Sequence, residues 1–204
     1  MFNSFSLAGI EMPEHLERLR EDVRRFLRAE YAAGSYTRDP AGWDRYDAAF
    51  TRKIAAQGWI GMTWPRAYGG HERTSLERYV VTEELLAAGA PVRAHWLADR
   101  QFGPLLLAAG SEEQKRAYLP RIAAGECFVC VGMSESAAGS DLASIRTRAT
   151  QADGGWRISG RKIWTSYAHK AHLMNLFART SSYDHNDRHA GVTLPRLVET
   201  HGVV

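Results

Sequence analysis

Residues Val131-Gly-Met-Ser-Glu-Ser-Ala-Ala-Gly-Ser-Asp141 begin within a short apolar run, Phe128 to Met133, and carry mostly small, hydroxyl-bearing or acidic side chains. Gly139 can take a positive φ or let a ligand approach the backbone closely. Consecutive backbone amides in such a turn can hold an anion. The stretch is neither a dinucleotide-binding Gly-x-Gly-x-x-Gly nor a P-loop, since no Gly-Lys-Ser/Thr follows. Taken alone, it is typical of a corner between a strand and a loop.

A second stretch, Lys162-Ile-Trp-Thr-Ser166, is predicted to be part of a strand. On a strand, Trp164 and Ser166 would project to one face and Thr165 to the other. An indole beside a hydroxyl can stack on a flat heteroaromatic ring while the hydroxyl bonds its edge. Taken alone, a tryptophan on a strand is more often part of a hydrophobic core.

Upstream of these stretches, the apolar residues recur at helical spacing. Pro13 to Ala33 places apolar side chains on one stripe with charges opposite, and Asp44 to Gln57 repeats the pattern. Capping boxes at Thr74 and Ser111 predict two further helix starts. A helix is also predicted from His95 to Ala109, bent near Pro104. The aromatic loop from Trp59 to Gly70 is expected to pack between helices.

After Gly125 the period changes to that of strands. Predicted strands cover Phe128–Met133, Ile145–Gln151, Trp156–Ser159 and His172–Thr180, with a hairpin turn at Asp153-Gly-Gly155 and a last strand beginning at Gly191. The predicted fold class is therefore α+β and multi-domain. An all-α domain over residues 1–126 precedes an antiparallel, β-barrel-like domain over residues 127–204.

Composition excludes several classes of protein. The chain has 204 residues, a formal net charge of +3 and no dense Lys/Arg block, so we expect no nucleic-acid partner. No apolar run reaches the roughly 18 residues of a membrane span, and no signal peptide is evident, so we predict a cytoplasmic protein without a membrane partner. Cys127 and Cys130 are expected to be buried, free thiols, and the His169/His172 and 184–189 segments to be solvated surface rather than a metal site.

Together, the two stretches closely resemble the acyl-CoA dehydrogenase family. The family signature is matched by Gly132-Met-Ser-Glu-Ser-Ala-Ala-Gly-Ser-Asp-Leu-Ala-Ser144, and its next motif, Gly-x-Lys-x-Trp-Ile/Thr-Thr/Ser, by Gly160-Arg-Lys-Ile-Trp-Thr-Ser166. Gly110 to Pro120, Gly125-Glu126 and Phe177 to Thr180 also fit, and the resemblance covers roughly residues 14–193. It implies an FAD-dependent oxidation of the Cα–Cβ bond of an acyl-CoA to a trans-2-enoyl-CoA.

The resemblance also implies which residues contact the flavin. Ser134 would bond the pyrimidine side, Trp164 would pack against the ring with Thr165 nearby, and Ser166 would approach N5. The remaining expected contacts are Val131 and Met133 at the ring, Gly139 and Ser140 at the FAD pyrophosphate, and Ser140 also at the acyl-CoA. No metal is expected. The implied partners are an electron-transfer flavoprotein or similar acceptor, and further subunits in a homo- or hetero-oligomer.

Family members carry the catalytic base, a Glu, usually on a C-terminal four-helix bundle that is absent from this sequence. We therefore assign no catalytic residue here. Residues 194–204 depart from the family pattern, and Pro195 is a poor occupant of a ladder strand. The expectation is a truncated chain with an incomplete β domain. Two alternatives are a catalytically inactive fragment or subunit, and a flavin monooxygenase or nitroalkane-oxidase relative on the same fold.

Overall fold

The computed structural model describes residues 12–39 and 41–193, and the backbone of residues 198–199. Within this part of the chain, six α-helices precede the strands. They are α1 (Glu14–Ala32), α2 (Ala48–Ala56), α3 (Ser75–Ala87), α4 (Arg93–Leu97), α5 (Gly103–Ala109) and α6 (Glu112–Ala123). The predicted order, a helical part followed by a sheet-containing part, is confirmed.

Helix α1 forms because its apolar side chains fall on one stripe. Leu16, Val23 and Leu27 are buried, and the opposite face carries the charges. Two residues beyond the last helical residue, Gly34 takes a φ of 71° and donates its N–H to the carbonyl of Tyr31 at 3.0 Å. A glycine favours this left-handed position because it has no Cβ.

Both predicted capping boxes are present. The Thr74 hydroxyl accepts from the Glu77 amide at 3.2 Å, while the Glu77 carboxylate accepts from the Thr74 amide at 2.8 Å. Ser111 and Gln114 make the same reciprocal pair at 3.2 and 3.0 Å. These contacts satisfy amides that have no partner within the helix, and so fix where α3 and α6 begin.

Two helix predictions need correction. The segment from Asp44 forms a 3₁₀ turn at Gly42–Asp44, and α2 begins only at Ala48, capped by the Asp47 carboxylate. The predicted helix over 95–109 begins earlier, at Arg93, and a π-helical turn at Ala98–Phe102 divides it into α4 and α5. Pro104 lacks an N–H and its ring clashes with the carbonyl four residues earlier, which explains the wider turn just before it.

The core of the helical part closes around the aromatic loop. Trp59, Ile60, Met62 and Trp64 are buried among the helices, which confirms the predicted packing of this loop. The approach is so close that a Cβ at Gly103 would lie 2.0 Å from the indole of Trp64. Any larger residue at 103 would have to displace that buried ring.

Two small sheets follow the helices. The strands are β1 (Val129–Gly132), β2 (Arg148–Ala152), β3 (Gly155–Ser159), β4 (Leu173–Leu176), β5 (Ala178–Arg179), β6 (Val192–Thr193) and β7 (Val198–Glu199). One sheet has the order β1-β4-β7 and the other β3-β2-β5-β6. The predicted hairpin is confirmed, with Asp153 and Gly154 between β2 and β3.

The prediction of purely antiparallel sheets is wrong in two places. Strands β1 and β4 pair in parallel over four residues, and β2 and β5 pair in parallel at Arg148 and Arg179. The chain between β1 and β4 includes the signature loop, the hairpin and the 160–172 segment. That connection is long enough to return β4 alongside β1 in the same direction.

The predicted strand boundaries also shift. A 3₁₀ turn at Leu142–Ser144 delays β2 to Arg148, and the predicted strand over 172–180 is divided at Phe177 into β4 and β5. Strand β7 pairs antiparallel with β4, so a strand occurs within the stretch 194–204 that departs from the family pattern. The prediction for Pro195 falls outside the described residues.

Candidate functional site

The two sequence stretches lie against each other in the structure. The amide of Ile163 donates to the carbonyl of Ser134 at 2.9 Å. The ammonium of Lys162 donates to the carbonyl of Met133 at 3.0 Å. The loop that follows β1 and the segment that precedes Trp164 therefore form one continuous surface.

A buried ion pair joins the same two stretches. The Lys162 ammonium lies 2.9 Å from the carboxylate of Glu135, and their side chains are 6% and 9% exposed. The carboxylate also accepts from the amides of Arg146 at 2.7 Å and Thr147 at 2.9 Å. Burial alone would raise the pKa of Glu135, but hydrogen bonds from Thr147, Lys162 and these amides outweigh it and lower the pKa to about 2.

Glu135 and Lys162 were not among the residues predicted to form the site. Glu135 stood in the signature without a physical role, and Lys162 only as part of the second motif. The available signal was compositional: an acidic residue in a loop of small side chains, and one of only four lysines in a chain rich in arginine. Their pairing depends on a contact between residues 27 apart, which the sequence pattern does not show.

Trp164 does not lie on a strand, and the predicted alternation of faces over residues 162–166 is wrong. The segment 161–165 has no assigned helix or strand, and Trp164 takes a φ of 58°. A positive φ is costly for a bulky residue, so the surrounding contacts must hold it there. Trp164 is 87% exposed, which is the largest value among the exposed large apolar residues that the structure describes.

The two residues after Trp164 differ in exposure. Thr165 is half-buried, and its hydroxyl is buried without a hydrogen-bond partner among the described residues. Ser166 is exposed. A buried hydroxyl normally has a partner, so the Thr165 hydroxyl is an exception among the described residues.

The residues of the first stretch differ in how far they are exposed to solvent. Val131 lies on β1 and is half-buried, as is Ser134, while Met133 is exposed. Gly139 and Ser140 are exposed at the end of the loop. Gly139 does not take the positive φ considered from the sequence, but a Cβ built on it would meet no atom within 4 Å. Its contribution is open space beside the backbone rather than an unusual conformation.

Aromatic contacts fix the far end of the second stretch to the helical part. The Tyr167 hydroxyl donates to the carbonyl of Asp44 at 2.6 Å, and the Tyr46 hydroxyl donates to the carbonyl of Lys170 at 3.1 Å. The Tyr46 ring lies 5.3 Å from that of Tyr167 and 5.4 Å from that of Phe128. Burial raises the pKa of Tyr46 to about 12. These contacts hold the segment just beyond Trp164 in position.

The remaining sequence candidates are two cysteines and the segments considered for a metal site. Cys127 and Cys130 are buried free thiols, and burial raises the pKa of each to about 11, which disfavours the reactive thiolate. Across residues 12–39 and 41–193, no group of three or more His, Cys, Asp or Glu side chains could hold a metal ion. No helix in the described part of the chain is long and apolar enough to cross a membrane.

The order of the two parts is that of a known family. The N-terminal domain model of acyl-CoA dehydrogenase matches residues 13–126, and the middle domain model matches residues 130–203. The chain belongs to the acyl-CoA dehydrogenase family. Acyl-CoA dehydrogenase FadE26 of Mycobacterium tuberculosis is 32% identical over 188 residues, which are 92% of this chain and 43% of that protein.

Solved structures that resemble this chain support the same family assignment. The steroid ACAD Tcur3481-Tcur3483 is 32% identical with a TM-score of 0.82, and the match covers 94% of this chain and 49% of that one. The ChsE4-ChsE5 complex from Mycobacterium tuberculosis is 30% identical with a TM-score of 0.77, covering 94% and 48%. The chain spans about half the length of these relatives.

Proposed function

We propose that this chain supplies one wall of an FAD site in an enzyme that oxidises the Cα–Cβ bond of an acyl-CoA thioester to a trans-2-enoyl-CoA. The family is FAD-dependent, and the chain matches its first two domains. The observation that carries the proposal is the contact between the two stretches through Ile163 and Ser134 at 2.9 Å. It joins hydroxyls, open backbone and an exposed indole in one surface.

The residues present fit a flat heteroaromatic cofactor. The indole of Trp164 is exposed and held at a positive φ, so it offers a face on which a ring can stack. The Thr165 hydroxyl lies beside it and lacks a partner among the described residues. A flat ligand that covers the indole would remove this apolar face from water.

We assign each residue of this surface a role toward FAD. Ser134 bonds the pyrimidine side of the ring, Trp164 packs against it, Thr165 lies close by, and Ser166 approaches N5. The other contacts are Val131 and Met133 at the ring and Gly139 and Ser140 at the pyrophosphate, with Ser140 also in reach of the acyl-CoA.

When bound, FAD supplies the acceptor for the hydride that leaves Cβ. The chain's own residues orient the cofactor and place donors where charge develops on it. The α-proton needs a separate base within hydrogen-bond reach. Glu135 cannot be that base, because its carboxylate is buried, paired with Lys162 and bonded by two amides. We place the base on a C-terminal helical domain, as in the family.

The proposed partners follow from the same role. They are an acyl-CoA as substrate, an electron-transfer flavoprotein or similar acceptor, and further subunits. A relative at 30% identity is described as a complex of two proteins, which supports a hetero-oligomer. We propose a cytoplasmic location.

The direct test is the absorption spectrum of the purified protein with and without added FAD. We expect the protein to retain the flavin absorption band after unbound FAD is removed by gel filtration. A chain that stays colourless would contradict the proposal and favour a catalytically inactive subunit. Anaerobic mixing of the FAD-loaded protein with acyl-CoA then tests the chemistry, because bleaching without oxygen supports a dehydrogenase over a monooxygenase or nitroalkane-oxidase relative.

A further inference from the structure

The segment that carries Trp164 is anchored on both sides of this residue. Before Trp164, the amide of Ile163 donates to the carbonyl of Ser134 at 2.9 Å, in the signature loop. After it, the hydroxyl of Tyr167 donates to the carbonyl of Asp44 at 2.6 Å, in the helical part. Only two residues lie between Trp164 and Tyr167, so the position of the indole depends on both anchors.

Both ends of this short turn take a backbone conformation that residues with side chains rarely adopt. The φ of Trp164 is 58° and that of Tyr167 is 56°, and in the described part of the chain Glu72 is the one other non-glycine residue with a positive φ. Such a conformation is costly for a bulky residue and persists only where the surrounding contacts hold it. Loss of the anchor at Tyr167 would therefore free the turn to relax to an ordinary negative φ.

A second tyrosine makes the same kind of bond in the opposite direction. The hydroxyl of Tyr46, in the helical part, donates to the carbonyl of Lys170 at 3.1 Å, in the sheet part. The rings of Tyr46 and Tyr167 lie 5.3 Å apart. Burial raises the pKa of Tyr46 to about 12, so its hydroxyl remains a donor at neutral pH. Each tyrosine thus donates to a backbone carbonyl of the other part.

Two cations lie over the paired rings. The ammonium of Lys170 is 4.9 Å from the centre of the Tyr46 ring and 5.7 Å from that of Tyr167. The guanidinium carbon of Arg93 is 5.9 Å from the centre of the Tyr167 ring, and its Nε lies 3.3 Å from the carboxylate of Asp44. Cation–π contacts of this kind favour the arrangement in which the two tyrosines lie together.

We propose that Tyr46 and Tyr167 are positioning residues, through which the helical part sets the orientation of Trp164 in the cofactor surface. Neither tyrosine is assigned a contact with FAD, so each acts through the turn that joins Trp164 to Tyr167. The inference rests on the proposed function for the identity of the ligand. Because coupling is reciprocal, flavin should stabilise the contact between the two parts by as much as that contact raises flavin affinity.

The test compares two double variants that each lose two hydroxyls and keep all rings. Y46F/Y167F removes the two hydrogen bonds between the helical part and the sheet part. The matched control, Y36F/Y68F, removes two tyrosine hydroxyls whose bonds, to a backbone carbonyl and to a carboxylate, lie within the helical part. Unfolding midpoints in urea confirm that both variants remain folded.

Two readouts need no ligand. We expect the indole N–H resonance of Trp164 in NMR spectra to shift in Y46F/Y167F and to stay in place in the control. The amides of Lys170 and Ala171, which donate to the carbonyl of Tyr167 at 2.9 and 3.1 Å, should lose protection from hydrogen exchange only in Y46F/Y167F. An unchanged resonance and unchanged protection in Y46F/Y167F, or equal changes in the control, would overturn the proposal.

Titration with FAD then measures the consequence for the cofactor. Y46F/Y167F should bind FAD about tenfold more weakly than the wild type, because each lost hydrogen bond lowers the fraction of molecules in which the turn is competent to bind. The control should bind FAD almost as tightly as the wild type. In the wild type, FAD should raise the protection of the Lys170 and Ala171 amides. An FAD affinity in Y46F/Y167F equal to that of the control would overturn the role of the two tyrosines toward the cofactor.

These outcomes separate the positioning role from the FAD proposal. If the wild type takes up no FAD, the flavin proposal fails, and the indole resonance and hydrogen exchange still decide whether the two tyrosines position Trp164. If the wild type binds FAD and Y46F/Y167F matches it in resonance, protection and affinity, the positioning role fails and the flavin proposal stands.

Discussion

The helical part and the sheet part of this molecule differ in the size of their apolar cores, although each also buries charged groups, such as Glu84 and Asp99 in the helical part and Glu135 and Arg179 in the sheet part. In the helical part, apolar side chains from the helices and the Trp59–Trp64 loop form one core, to which the sheets add Val129 and Leu173. In the sheet part, the candidate site depends on buried charged groups. These are Glu135 with Lys162, and Arg179 with its carbonyls.

This difference predicts how each part responds to substitution. An apolar core loses stability in proportion to the volume removed, and its neighbours can relax. When one partner of a buried ion pair is removed, the other charge stays buried without compensation, and small movements of its neighbours do little to relieve this. The candidate site should therefore be more sensitive to loss of a single charge than the helical part is to loss of a single methyl group.

The largest effect is expected from Lys162→Met. It leaves the Glu135 carboxylate buried without its cation, which costs about 3–5 kcal/mol in comparable cases. Hydrogen exchange should show the amides of Arg146, Thr147 and Ile163 losing protection while those of α2 keep theirs. The matched control is Arg18→Gln, which removes an exposed partner of Glu14 and should change stability by less than about 0.5 kcal/mol. Equal effects would mean that the buried pair is not what holds the site.

The helical core should respond strongly to Ile54→Ala. Ile54 is fully buried on α2, so the substitution leaves a cavity and costs about 2–5 kcal/mol. Urea denaturation followed by circular dichroism measures this loss. Leu76→Ala, at an exposed position on α3, serves as control and should cost far less. A small loss at Ile54 would show that the helical part does not depend on this core.

A fall in pH should destabilise the helical part and the sheet part over different pH ranges. Burial lowers the pKa of His95 in the helical part from 6.5 to about 3, so the unfolded chain binds more protons and stability falls as pH drops from 6.5 toward 3. The pKa of Glu135 is lowered from 4.5 to about 2, so its contribution is present above pH 4.5 and is lost as pH falls toward 2.

His95→Asn tests this separation, because an amide can keep the contact with the Thr51 hydroxyl but does not titrate. The slope of unfolding free energy between pH 6.5 and 4.5 should decrease by up to about 1.4 kcal/mol per pH unit. Below pH 4.5, the fall in stability that comes from protonation of Glu135 should remain. An unchanged slope above pH 4.5 would show that His95 is not a source of acid sensitivity.

The smallest effect concerns a single cap. Thr74→Ala removes the hydroxyl that accepts from the Glu77 amide and should cost about 1 kcal/mol. Thermal unfolding measures the change, and Thr74→Ser, which keeps a capping hydroxyl, should recover most of it. A serine variant as unstable as the alanine variant would argue against the cap.

Much of the helical part could be predicted from sequence because its signals are local. The stripe on α1, the stop at Gly34 and the capping boxes at Thr74 and Ser111 all depend on residues a few positions apart. The π turn before Pro104 was predicted only as a bend, since the pattern does not give the hydrogen-bond register within it.

The sheet part was harder because its pairings are non-local. The hairpin at Asp153-Gly154 was predictable from its turn residues, but the parallel pairing of β1 with β4 joins residues 44 apart, such as Val129 and Leu173. Neither propensity nor periodicity reveals the positive φ of Trp164. The sequence predicts the two motif stretches, but it does not predict the ion pair between Glu135 and Lys162 that joins them.

The most direct test of the central claim compares two tryptophans. Trp164 is the proposed platform for the flavin ring, whereas Trp156 on β3 is 39% exposed and has no proposed role. Titration of Trp164→Leu and Trp156→Leu with FAD, followed by flavin absorption and tryptophan fluorescence, gives the affinity of each. If Trp164 is the flavin platform, Trp164→Leu should bind FAD about tenfold or more weakly, whereas Trp156→Leu should bind it almost as tightly as the wild type. Equal affinities for the two variants would contradict it.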